Sequence, residues 1–141
     1  MKQELVLYPA IVVAMLTFAV GIALFRARIL AVKRGDISPG YFLLNRGGKL
    51  PENLVRVDQN YNNLLELPIL FYAAVLLLYV TGTANLAQLW LLWGFALSRI
   101  VHTLIHIRSN HLRWRMRSFV VGFLLLLASW SLFLWQVLHP S

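Results

Sequence analysis

Two short stretches of the sequence hold most of its chemically capable side chains. In the first, Arg56, Gln59, Asn60, Asn63 and Glu66 recur at steps of three and four. At about 100° per residue they occupy an arc of roughly 120° on one side of a helix. In the second, Arg99, His102, Thr103, His106 and Asn110 recur in the same way. Several cations, several amides and one carboxylate suit a ligand that bears both carboxylates and an amine. A third stretch alternates Arg113, Arg115 and Arg117 around Trp114 and ends in Arg117-Ser118. A guanidinium and a hydroxyl at the start of a helix would stabilise an anion or thiolate, with help from the helix N-terminus.

Plainer roles compete for the same residues. Glu66 could pair with Arg99 while the amides and imidazoles hydrogen-bond between helices, which would hold a bundle together without any ligand. Arg26, Arg28 and the three arginines around Trp114 could mark a membrane interface and contact lipid phosphates. His102 and His106, at i and i+4, could bind a metal with Glu66 as a third ligand. That spacing is common by chance without the fuller zinc motif on one helix, so no metal site is expected. The number of polar groups favours a lined cavity, because ionisable side chains inside a membrane are expensive and face cavities or one another.

The elements that position these residues are membrane spans. Of 141 residues, 60% are hydrophobic and 13% charged, and the mean hydropathy is +0.70. A soluble domain carries about twice that charged fraction, and one this short could not hide so much apolar surface in its core. The absence of cysteine rules out disulfides, thiolate metal sites and a cysteine nucleophile. No internal repeat or low-complexity tract is present, so one domain over 1–141 is expected, with helices over about 5–31, 55–79, 85–107 and 114–138. Residues 67–98 carry no charge. That is too long for one span, and Thr81-Gly82-Thr83-Ala84-Asn85 breaks it into a helical hairpin. Antiparallel neighbours joined by so short a turn can line one pocket from two sides. Pro68 falls inside the second span and should kink it. Residues 35–55 form the one long loop, with Gly35-Asp36, Pro39-Gly40, Gly47-Gly48 and Pro51 as turn formers.

Charge sets the orientation. Seven of the thirteen Lys and Arg lie between Arg26 and Arg56, five between Arg99 and Arg117, and only Lys2 elsewhere. Loops one and three are therefore expected in the cytoplasm and both termini outside. Trp90, Trp135, Tyr8 and Tyr79 fall near the outer interface, as aromatic belts do. The same rule accounts for the net charge of +8 without nucleic acid as a partner.

Asn62-Asn63-Leu64-Leu65-Glu66-Leu67-Pro68, followed by Arg99-Ile100-Val101-His102 and by Arg117-Ser118, resembles the MAPEG family, the membrane-associated proteins of eicosanoid and glutathione metabolism. Size, four spans, the long first loop and termini-out topology are similar too. The likeness covers nearly the whole chain, and the departures from its pattern suggest a bacterial-type branch, for which the membrane would be the inner or plasma membrane. It implies an all-α homotrimer of four-helix protomers, with glutathione as co-substrate held between neighbouring protomers near the cytoplasmic side. Asn63 and Glu66 match the family's Asn-x-x-Glu, Arg99 and His102 its Arg-x-x-His, and Arg117 the arginine that activates the thiol, with Ser118 beside it. The chain departs from the pattern in places. Gln59 stands where an arginine is usual and His106 where a tyrosine is often found. Arg56 stands four before Asn60, a register that puts Asn63 at the acidic position. Pro68 follows Glu66 so closely that Asn62 could instead be the motif's asparagine. The linker between the third and fourth spans is about two residues longer.

The implied activity is a glutathione-dependent transferase or peroxidase-like reaction on lipophilic electrophiles arriving from the membrane. Arg117 and Ser118 would be catalytic. Arg56, Gln59, Asn63, Glu66, Arg99, His102 and His106 would bind the tripeptide. A non-catalytic assembly or lipid-binding protein of the same fold is the alternative. A small four-helix transporter working through Glu66 is a further one, and the strong charge bias argues against it.

Overall fold

The computed structural model describes residues 2–44 and 48–139, and the expected turn residue Gly47 lies outside them. The described residues form helices only. After a 3-10 turn at Gln3–Val6 come α1 (Leu7–Lys33), a single turn α2 (Tyr41–Leu44), α3 (Glu52–Thr81), α4 (Leu86–Arg108) and α5 (Leu112–Leu138). The four long helices are each long and apolar enough to cross a membrane, which takes about 20 residues. Most of their apolar side chains face outward, Phe18, Phe25, Trp90 and Leu124 among them, as suits a lipid solvent. Tyr8, Tyr79, Trp90 and Trp135 are all exposed toward the end that carries the chain termini.

Helix α4 packs against α1, α3 and α5, while α1 lies mainly on α3 and α5 mainly on α4. Consecutive long helices run antiparallel, and the connections from α3 to α4 and from α4 to α5 are only a few residues long. Gly82 ends α3 in the left-handed region at φ 67°, where glycine meets no steric penalty. Asn85 then caps α4, its Oδ1 accepting from the Gln88 amide at 2.9 Å. Asn110 also takes a positive φ, 46°, and its N–H donates to the Ile105 carbonyl at 2.7 Å. It therefore ends α4 instead of extending its polar stripe.

The stretch expected as one long loop is partly helical. Tyr41–Leu44 forms a turn of helix, and Ile37, Tyr41, Phe42 and Leu50 fold back on Leu24, Ala31 and Leu54. Apolar side chains between turn residues seek cover, which the loop reading overlooked. Helix α3 starts at Glu52, slightly ahead of the expected start at about 55. Pro51 precedes it, and Glu52 pairs with Arg56 one turn on, an i, i+4 contact that supports a helix start. Helix α3 continues unbroken through the buried Pro68. Arg28, expected at lipid, pairs instead with Asp58 of α3 at 2.6 Å and lies 5.5 Å from the Phe42 ring.

The interior divides in two along the membrane normal. Toward the termini it is apolar, centred on Phe71 and Phe95, whose rings stack at 4.5 Å. One polar network joins the helices there. Gln88 donates to the Ser129 carbonyl at 3.2 Å, accepts from the Ser129 hydroxyl at 2.7 Å and meets Gln136 Oε1 at 3.2 Å. Toward the opposite end, where the cations gather, the interior becomes polar.

Close approach of α4 and α5 depends on Gly122. A Cβ there would lie 2.4 Å from the Ser98 hydroxyl and 2.5 Å from Arg99 Nη2. At Gly94 it would meet only the end of the Leu125 side chain, at 3.1 Å. Gly122→Ala should therefore destabilise by about 1–3 kcal/mol, the usual cost of overpacking, and Gly94→Ala by less. Thermal unfolding in detergent checks this, and equal midpoints for the two variants would refute it. Gln88→Leu should cost a further sum of about 1–3 kcal/mol by leaving the Ser129 hydroxyl and Gln136 Oε1 without the partner that Gln88 supplies, read by the same melt.

Candidate functional site

The polar interior starts one turn from the apolar core. Arg99 follows Phe95 by four residues on α4 and is only 1% exposed. Its Nη2 donates to the α5 carbonyls of Ser118 at 3.2 Å and Phe119 at 3.4 Å. Its guanidinium carbon lies 5.3 Å from the Phe95 ring and 5.4 Å from the Phe119 ring. No ion pair to Glu66 forms. Glu66 is exposed on α3, so the alternative of a structural Glu66–Arg99 bridge gives way to carbonyl oxygens and ring faces.

His102 and His106 follow on the same face of α4, both buried. His102 Nδ1 is 3.1 Å from the Ser118 hydroxyl and 3.2 Å from the Arg115 carbonyl. A carbonyl can only accept, so Nδ1 carries the proton and Nε2 is left as an acceptor. Arg115 Nη1 donates to His106 Nε2 at 3.3 Å and to Asn110 Oδ1 at 2.8 Å. That places the proton of His106 on Nδ1. The two imidazole rings are 5.7 Å apart and tilted, each committed to α5 partners. Among the described residues no group of three metal-ligating side chains assembles.

Among the described residues, one hydrogen bond joins the two sequence stripes. Thr103 donates to Asn60 Oδ1 at 3.4 Å, with both buried. Asn63 and Arg56 are half-buried, while Gln59, Asn62 and Glu66 are exposed on the outside of the bundle. Asn63 lines a cleft of about 270 Å³ with His102, Arg115, Met116, Phe119 and Val120. This cleft opens between α3 and α5. Farther toward the termini the same seam becomes an apolar groove of about 350 Å³, lined by Leu67, Leu70, Phe123, Leu126, Leu127 and Trp130. A larger cleft, about 640 Å³ between α1 and α3, is mostly apolar and holds none of the clustered polar residues.

Arg117 and Ser118, neighbours in sequence, part company. Ser118 turns inward and donates to the Arg115 carbonyl at 2.9 Å. Arg117 is exposed and lies over the Trp114 ring at 5.0 Å. Consecutive helical residues point about 100° apart, so one chain does not aim both at the same point. The arginine that enters the cluster is Arg115, which the sequence reading treated only as one of three interfacial cations. A clue was available, since Arg115 stands three residues before Ser118 and shares its face. Gly122 gave no such clue, because its importance comes from what lies opposite it.

The cluster is rich in unused hydrogen-bonding capacity. Arg56 Nε, Asn60 Nδ2, Arg99 Nη1, His102 Nε2 and His106 Nδ1 are buried without a partner. Among the described residues these are the buried unpaired side-chain atoms, and all belong to the basic end. Given the tautomers above, four are donors and one is an acceptor. Buried polar groups are normally paired, so this set is suited to a ligand with several acceptor oxygens.

The sequence model of the MAPEG family matches residues 6–135, a span that takes in all four long helices and every residue of the cluster. No curated protein and no solved structure matches the chain. With the family pattern running from the turn before α1 to the last turns of α5, the chain belongs to the MAPEG family.

Proposed function

We propose that this protein is a glutathione-dependent membrane transferase or peroxidase-like enzyme that acts on lipophilic electrophiles, with the thiol bound at the basic end between the protomers of a homotrimer. Family membership makes it a membrane protein of the glutathione- and eicosanoid-metabolism type. The observation that carries the finer reading is the set of unpaired buried nitrogens at the basic end. Four donors and one acceptor complement a tripeptide with two carboxylates, amide carbonyls and an ammonium group. Arg56, Asn63, Arg99, His102 and His106 would hold its backbone, and positioning alone is a large part of catalysis.

The exposed polar residues support a second copy of the chain at this site. Gln59, Asn62, Glu66, Ile69, Ala73 and Leu76 follow one another at alternating steps of three and four, the seam of a helix that packs on another. Glu66 sits near the middle of α3 and is exposed. Charged residues at the centre of a lone span cost about 2.5–3.5 kcal/mol, a cost relieved when protein covers them. A neighbour on this flank would enclose Gln59, Asn62 and Glu66 beside the cleft and bring a further Arg117 toward it. There Arg117 would stabilise the thiolate and Ser118 of the cluster would supply a hydroxyl. The electrophile would arrive along the apolar groove. The basic end would lie in the cytoplasm.

One observation favours a non-catalytic role for the same fold, namely that Arg117 rests on Trp114 and away from Ser118. Calorimetric titration of glutathione into the detergent-purified protein separates the two. Saturable binding is expected, weakened about tenfold to a hundredfold by Glu66→Ala and by Arg117→Ala, the range for hydrogen bonds to charged groups. Arg117→Ala should also abolish turnover while leaving the oligomer intact. Absence of binding in a folded protein would remove the thiol reading.

A further inference from the structure

We propose that the cleft between the last turns of α1 and the start of α3 binds the headgroup of an anionic phospholipid. The cleft is about 330 Å³ and lies apart from the polar cluster. One wall is a ridge of α1 in which Arg26 and Arg34 flank Leu30, each four residues from it. Beside the ridge runs a shallow trough of Ala23, Ala27 and Ala31, and Asn53 and Pro51 close the other wall. The arginines stand about 12 Å apart along the helix axis, and their long side chains can converge on a headgroup between them.

Three features select this occupant. Arg26 and Arg34 are exposed and, among the described residues, neither pairs with a carboxylate. Arg28, two residues from Arg26, faces another way and is taken by Asp58. The position is also amphipathic. Ala23 and the half-exposed Leu30 continue into the apolar part of α1, where an acyl chain would lie, whereas a free phosphate has no use for that surface. Finally, the negative groups nearby are outweighed. Asp36 carries one charge, and the α1 C-terminus adds about half of one, against two guanidinium groups. The inference does not rest on the thiol-binding reading and concerns different residues.

Native mass spectrometry of the detergent-solubilised full chain, titrated with phosphatidylglycerol or phosphatidylcholine of equal chain length, tests it. Phosphatidylglycerol should be retained at lower concentration. The double substitution Arg26→Gln with Arg34→Gln should weaken that retention about thirtyfold, and Lys33→Gln, which removes a charge one residue from Arg34 but outside the cleft, should change it by less than about twofold. Unchanged retention in the double variant, or an equal loss with Lys33→Gln, would overturn the proposal, the latter by showing a diffuse charge effect. Displacement of the lipid by inorganic phosphate would overturn it too, since the site would then hold a free anion. Should the double variant fail to fold, Ala23→Phe, at an exposed position, fills the trough without touching charge. It should also reduce retention, and full retention would count against the site.

Discussion

The basic end of this protein is organised around one buried charge without a carboxylate partner. Arg99 is almost fully enclosed between α4 and α5, and an isolated ion moved from water to such a place costs several kcal/mol even after relaxation. Its accommodation dictates the neighbourhood. Two α5 carbonyls must turn a free lone pair toward it. Two phenyl rings must flank it, and cation–π contact is strongest where water is excluded. Helix α5 must also come close enough for those contacts, which only a residue without a side chain at 122 allows. Ser118, whose carbonyl serves Arg99, thereby has its hydroxyl brought to His102.

The contrast between the two ends shows how unusual this arrangement is. Near the termini, Gln88, Ser129 and Gln136 satisfy one another across α4 and α5, and Gln136 also donates to the Thr83 carbonyl at 3.0 Å. That network acts as helix-to-helix glue. At the basic end five buried nitrogens have no partner, and one of their residues, His102, lines a cleft that opens to the side. A membrane protein tolerates unpaired buried donors where function requires them, because each one lowers stability. Farther toward the termini the same α3–α5 seam holds an apolar groove.

Much of this was legible in the sequence, and particular residues show where legibility ended. The uncharged stretch from 67 to 98, cut by Gly82, specified two spans and their antiparallel pairing, and Asn85 marked the start of α4. The stripes of α3 and α4 were visible as spacings, and Asn60 with Thr103, His102 and His106 did turn inward. The spacing could not say that Gln59 and Glu66, on the edge of the same arc, would face out. Arg28 read as an interfacial cation until Asp58 appeared opposite it. Gln88 and Ser129 sit in runs so apolar that their mutual bonding left no periodic signal.

What the sequence by itself determined is the number of spans, the end at which charge collects, the family and the register of side chains around each helix, because these follow from local composition and a period of 3.6 residues. What only the tertiary structure decided is which part of each helix face meets another helix. That choice depends on interhelical distance and rotation, which are set by contacts between residues far apart in the chain. Gly122 against Ser98 and Arg99 is the clearest case. Nothing near position 122 in the sequence announces the guanidinium that will lie against it, and the separation of Arg117 from Ser118 likewise follows from how α5 is rotated once it packs on α4.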